Sequence, residues 1–95
     1  MARLDLDITN TYFRSGRIYI GTTPTTIGSP ALTNRKFLTI LNAGTANIYV
    51  GSTDVGVTGF PYYPGYSDTL KVGPSVKVKG FAVSGSVDIR FQEGS

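Results

Sequence analysis

The sequence of 95 residues contains no cysteine and no histidine, and these two absences exclude more chemistry than anything else in its composition. Without cysteine there is no disulfide framework, no thiolate nucleophile and no sulfur ligand for a metal. Without histidine the chain lacks the commonest zinc ligand and the usual general base at neutral pH, so a serine nucleophile has no imidazole to take its proton. Also missing is any apolar run near the ~18 residues that span a bilayer. The start, Met1-Ala2-Arg3-Leu4-Asp5-Leu6-Asp7, alternates charge with leucine where a signal peptide has an apolar core, so the protein is expected to be soluble and made in a cytoplasm. Charge is sparse: nine Lys plus Arg against six Asp plus Glu give a net charge of +3 and a pI near 9.4. That supports a weak positive field, far below a dedicated nucleic-acid binder, and neither a membrane nor nucleic acid is expected as a partner.

What is present points to short strands. Twelve Gly and 5 Pro join 12 Thr and 8 Ser, a composition that favours strands and turns over helices. Hydropathy alternates with period two: Val87, Ile89 and Phe91 share one face of the segment Val87-Asp88-Ile89-Arg90-Phe91-Gln92. Val76-Lys77-Val78-Lys79 alternates likewise, and Phe81-Ala82-Val83 leads across Ser84-Gly85 into that last strand, so residues 76–92 read as a hairpin interrupted at Gly80. Lys36–Leu41 and Asn47–Val50, joined by Asn42-Ala43-Gly44-Thr45-Ala46, read as a second hairpin. Weaker strands are expected at Arg17–Ile20 and Thr69–Val72, with residues 51–64 mostly loop. About seven such strands predict an all-β fold, a small antiparallel β-sandwich or barrel formed by residues 17–95. Residues 1–16, where Leu4, Leu6 and Ile8 alternate with polar neighbours, are either an extended N-terminal arm or an ordinary edge strand. Ile18-Tyr19-Ile20-Gly21-Thr22-Thr23 and Ile48-Tyr49-Val50-Gly51-Ser52-Thr53 echo one another as two strands ending at a glycine. A domain this small has a modest core, which makes a homo-oligomer the expected state.

Candidate chemistry is thin. A carboxylate pair for glycoside hydrolysis would come from Asp5, Asp7, Asp54, Asp68, Asp88 and Glu93, but Asp88 and Glu93 are expected on or just past an outward strand face, where no burial raises a pKa. The same acids lack the dense spacing of a calcium loop, so no metal and no cofactor are expected. Ser75 and Ser84 near Lys77 and Lys79 read as solvated turns, and Gly56-Val57-Thr58-Gly59 lacks the lysine and helix of a phosphate cradle. Lys77 and Lys79 share a face that Lys71, Arg35 and Lys36 join if the strand order permits; isolated lysines also keep strand edges from pairing. The most unusual segment is Phe60-Pro61-Tyr62-Tyr63-Pro64-Gly65-Tyr66, with four aromatics and two prolines in seven residues. Stiffened aromatics with polar tips lose little entropy on docking, so Phe60, Tyr62, Tyr63 and Tyr66 are expected in a contact surface, with sugar stacking as a second use of the same rings. With Leu4, Leu6, Ile8, Tyr12 and Phe13 of the N-terminal segment they make up the predicted interface residues.

The run Arg35–Asn42, then Asn47–Val55 with its Ile-Tyr-Val-Gly, then Gly59-Phe60-Pro61 and Tyr63-Pro64-Gly65, closing with Val83-Ser84-Gly85-Ser86-Val87-Asp88-Ile89-Arg90, resembles small virion proteins of tailed bacteriophages. The resemblance covers residues 35–92 and rests on strand and turn residues. It implies a non-enzymatic structural protein of the particle: a capsid decoration protein that binds and stabilises the head lattice, as a homo-oligomer with a trimer favoured, or else a tail or head-to-tail component. It implies the major capsid or another virion protein as partner, residence in the virion and no catalytic residues. A carbohydrate- or receptor-binding module using the Phe60–Tyr66 loop is the alternative from a different class.

Overall fold

The computed structural model describes residues 13–53 and 55–95. It contains eight strands: β1 (Phe13–Ile20), β2 (Thr25–Thr26), β3 (Phe37–Asn42), β4 (Ile48–Gly51), β5 (Phe60–Tyr62), β6 (Ser67–Leu70), β7 (Lys79–Phe81) and β8 (Val87–Gly94). They form two antiparallel four-stranded sheets, in the orders β1-β8-β3-β6 and β2-β7-β4-β5. This is the strand order of a jelly roll, the double-sheet solution to covering an antiparallel β core without helices.

Both expected hairpins are corrected by this order. β3 lies in the first sheet and β4 in the second, and β7 and β8 are likewise in different sheets. The Asn42–Ala46 and Val83–Ser86 segments are therefore corners that carry the chain from one sheet to the other. Alternation specifies a strand and its buried face but not its partner, and a Gly-containing turn serves a corner as well as a hairpin. Only β4 and β5 are neighbours in both chain and sheet, and β5 falls inside the stretch expected to be loop. It tolerates Pro61 because it is an edge strand, where a missing N–H need not break an internal ladder. Val76–Val78 forms no strand; Val78 instead enters the core, and its carbonyl accepts from Ile27 N at 2.8 Å. β1 begins at Phe13, so residues 13–16 pair with Gly94–Phe91 and belong to the domain as part of an edge strand. Leu4, Leu6, Ile8 and Tyr12 lie outside the described residues.

The facing surfaces of the sheets follow from residue parity. Ile20 pairs with Val87, Ile18 with Ile89 and Gly16 with Phe91 across β1 and β8. Leu38 and Ile40 of β3 continue the layer, and Ile48, Val50 and Tyr62 of the second sheet close over it with Ile27, Val78 and Ala82. Gly16 is required by this packing, because a Cβ there would stand 2.5 Å from the Phe91 ring. Burial at about 25 cal/mol per Å² makes this layer the main favourable contribution to folding.

The same parity carries a charge inward at one end. Glu93, expected near an outward face, is on the core side of β8 and completely buried. Its strand continues to Gly94, so 87, 89, 91 and 93 share one face. The buried carboxylate is neutralised from two sides: Arg35, itself 3% exposed, donates from Nη1 to Oε1 at 3.1 Å, and Arg14 donates from Nε to Oε2 at 2.8 Å. Arg14 Nη2 donates to the same oxygen, and Leu32 N brings a third residue to the carboxylate at 3.1 Å. Gly28, at φ 73°, keeps its place because a Cβ would press on this carboxylate, 3.1 Å from its carbon. Arg35 also donates to the carbonyls of Val72, Gly73 and Val76, at 3.3, 2.8 and 2.8 Å. Its place in an exposed basic stripe is thus corrected: the guanidinium is an internal clamp joining β8, the segment before β3 and the long β6–β7 connection. Every buried side-chain nitrogen and oxygen among the described residues has a partner. Removing one member of a buried pair leaves the other uncompensated, so Arg35→Met is expected to lose about 3–5 kcal/mol of stability. Arg14→Met, at a partly exposed site, is expected to lose less; urea denaturation of the two variants checks the ordering.

Candidate functional site

The aromatic segment is built on Asn42, the buried polar residue that ends β3. Its side-chain oxygen accepts from Gly44 N at 2.9 Å, and its amide donates to the carbonyls of Ala46 at 2.9 Å and Tyr62 at 2.8 Å. Its backbone does the same for the next turn: Asn42 N donates to Tyr66 O at 3.0 Å, and Gly65 N donates to Asn42 O at 2.7 Å. One residue therefore fixes both the corner after β3 and the loop after β5. Gly65 supplies the left-handed position that loop needs, at φ 84°.

On this platform the four aromatics separate. Tyr62, expected in the contact surface, is 1% exposed and belongs to the core. It alternates with Pro61 on β5 and packs edge-to-face between Phe60, at 6.1 Å, and Tyr66, at 5.1 Å between ring centroids. Its hydroxyl donates to Asp68 Oδ2 at 3.0 Å, tying β5 to β6. Burial, followed by the hydrogen bond to Asp68 and that carboxylate's charge, pushes the phenol well above the ordinary tyrosine range. Phe60, Tyr63 and Tyr66 are exposed, the first two at 62% and 58%. Next to them the outer face of the second sheet carries one apolar row, beside the row Thr26, Lys79 and Gly51: Tyr49 pairs with Phe81 on one side and Pro61 on the other. All three are half-buried and none belongs to the core cluster. This row, missed in the sequence, was encoded in the alternation of Ile48-Tyr49-Val50, where the aromatic has the parity opposite to the core.

The outer face of the first sheet is polar. Arg17 and Arg90 are register partners on β1 and β8, and Leu41 of β3 follows Arg90 in the same row. Asp88, one step along β8, accepts from Arg90 Nε and Nη2, both at 3.1 Å, and lies 3.3 Å from Arg17 Nε. The Arg90 hydrogen bonds first, and the Arg17 and Arg90 charges after them, hold the Asp88 carboxyl below its ordinary range. The lysines form no single stripe: Lys79 is on β7 of the second sheet, while Lys36 and Lys71 flank β3 and β6 of the first. Asp5, Asp7 and Asp54 are outside the described residues, and among the described residues no three His, Cys, Asp or Glu side chains gather as a metal site. Glu93 is spent on arginines, Asp68 on Tyr62 and Asp88 on Arg90, so none stands opposite another as a hydrolytic pair. The chain matches no known protein-family model and no curated protein sequence.

Two outcomes follow for the aromatic segment. Tyr62→Ala is expected to lose about 3–5 kcal/mol, as large-to-small changes in a core do, whereas Tyr63→Ala stays within about 0.5 kcal/mol; thermal melting separates them. Because Tyr62 ionises at higher pH folded than unfolded, its contribution is intact below pH 10.0, the ordinary tyrosine value, and declines as pH rises beyond it. Denaturant titrations from pH 9 to 11 should therefore show a shallower alkaline loss in Tyr62→Phe than in the parent.

Proposed function

We propose that this chain is a non-enzymatic structural protein of a bacteriophage particle, a decoration protein that seats on the head lattice as a homo-oligomer. The observation that carries the reading is the apolar row Phe81, Tyr49 and Pro61 on an outer sheet face, with exposed Tyr63 just past β5 and Phe60 exposed at the same edge strand on the parity of Tyr62. A sheet face that turned only to water would alternate to polar residues, and a contiguous apolar patch on a small domain marks a protein contact. The rings stand on a platform held by Asn42, so docking orders little that is not already ordered. The resemblance of residues 35–92 to small virion proteins of tailed phages supplies the partner, and the jelly-roll order, which also occurs in capsid domains, is compatible with it as an analogy of fold. The reading extends to the Leu4-Leu6-Ile8 alternation, which lies outside the described residues: it is proposed to add to a neighbouring subunit or the capsid as an arm, where main-chain hydrogen bonds give affinity and alternate side chains give register.

Electron microscopy of the encoding phage's heads, assembled with and without this protein, tests the reading. Trimeric density on the outer lattice is expected, and heads without any such density contradict it. Phe60→Ala with Tyr63→Ala is expected to keep the fold and to weaken head binding by about 1–3 kcal/mol, the effect of losing aromatic anchors. Deleting residues 1–12 is expected to spare the fold and to diminish binding; a truncated protein that binds heads as well as the full chain removes the arm from the account.

A further inference from the structure

The polar face of the first sheet has no part in that reading. Between β1, β8, β3 and β6 it forms an open groove of about 700 Å³, lined by Ser15, Arg17, Leu41, Ser67, Arg90 and Gln92 among others. That volume lies within the range of small-molecule and oligosaccharide-sized sites, about 300–1,000 Å³. Two guanidiniums share one carboxylate here, so among the described residues they carry one positive charge in excess. Each guanidinium has five N–H donors; Arg90 commits two of its nitrogens to Asp88 and Arg17 one, and among the described residues both keep further donors. The guanidiniums are also held in place. Asp88 fixes both, and Arg17 rests over the Tyr19 ring at 5.7 Å. Around them stand the Gln92 amide and the Ser15 and Ser67 hydroxyls, exposed hydrogen-bonding groups, while Leu41 offers an apolar surface opposite Arg90.

We propose that this groove binds an acidic polysaccharide, with the carboxylate of a uronic acid on Arg17 and Arg90, the sugar hydroxyls on Gln92, Ser15 and Ser67, and the apolar face of the ring on Leu41. A carboxylate matches the forked geometry of a guanidinium, and a preorganised fork loses little freedom on binding. A nucleic acid fits less well. Nucleic-acid binding draws on base stacking as well as charge, and the aromatic in the groove's lining is the half-buried Phe91 at the core parity of β8. The inference is independent of where the chain sits in a particle, and it differs from sugar stacking at the Phe60–Tyr66 segment because it uses the opposite sheet.

Calorimetric titration of the full chain with oligoguluronate, neutral dextran oligosaccharides and a single-stranded DNA of matched length tests it. Saturable binding to the uronate and none to dextran are expected, with at least a tenfold loss in Arg17→Gln and in Arg90→Gln at unchanged melting temperature. Arg90→Lys separates recognition from simple charge: it keeps the cation but loses the fork, and is expected to bind several-fold more weakly. No uronate binding by the parent protein at millimolar concentration overturns the proposal. So does equal binding in Arg90→Gln, equal binding of dextran, or DNA binding as strong as that of the uronate.

Discussion

The fully buried Glu93, neutralised by Arg35 and Arg14, is the interaction on which the rest of the molecule depends. β8 is an interior strand paired on both sides, to β1 and to β3. A slip of one residue in its register would turn Val87, Ile89 and Phe91 to water and bring Asp88, Arg90 and Gln92 into the core. Apolar alternation opposes that slip, but Glu93 makes it far more costly, because its carboxylate meets the donors of Arg14, Leu32 and Arg35 only in the native register. Arg35 extends the constraint to the carbonyls of the β6–β7 connection, a segment without strand pairing of its own. A buried ion pair is not in general a net source of stability against a well-packed apolar alternative. Here its role is to specify: it selects one register of β8 and ties it to the segment before β3 and to the β6–β7 connection.

From that register the two outer faces acquire different characters. The first sheet presents Arg17, Asp88 and Arg90 with hydroxyl and amide neighbours, all at the parity opposite to Ile18, Ile89 and Phe91. The second presents Tyr49, Phe81 and Pro61 at the parity opposite to Ile48, Val50 and Tyr62. Neither face needs a moving part, since Asn42 fixes the loop beside the apolar row and Asp88 fixes the guanidiniums of the polar one.

Strand chemistry was legible in the sequence; pairing was not. Strand-forming residues located β3, β4 and β8, alternation gave the buried face of β8, and the all-β class follows from such segments. The corners after β3 and β7 have the same glycine-rich chemistry as hairpin turns, so nothing local distinguishes a chain that turns back from one that crosses to the opposite sheet. Glu93 was readable in principle, since it continues the parity of Val87, Ile89 and Phe91, but an acid at a strand end reads as solvated until the arginines that meet it are known. Tyr62 and Tyr63 are adjacent and alike, and only the strand register of β5, with a proline at its centre, decides which is core. The Arg17 and Arg90 pair joins the first described strand to the last, a juxtaposition that no window of sequence contains.

The most direct measurement of the central claim is a double-mutant cycle on Arg35 and Glu93, using Arg35→Met, Glu93→Leu and the two together, with stabilities from urea denaturation. If the pair holds the register as one unit, each single change is strongly destabilising and the double change costs far less than their sum, a coupling of about 2–3 kcal/mol. Additive losses would contradict the account, because they would mean that the two charges sit in the interior without depending on one another.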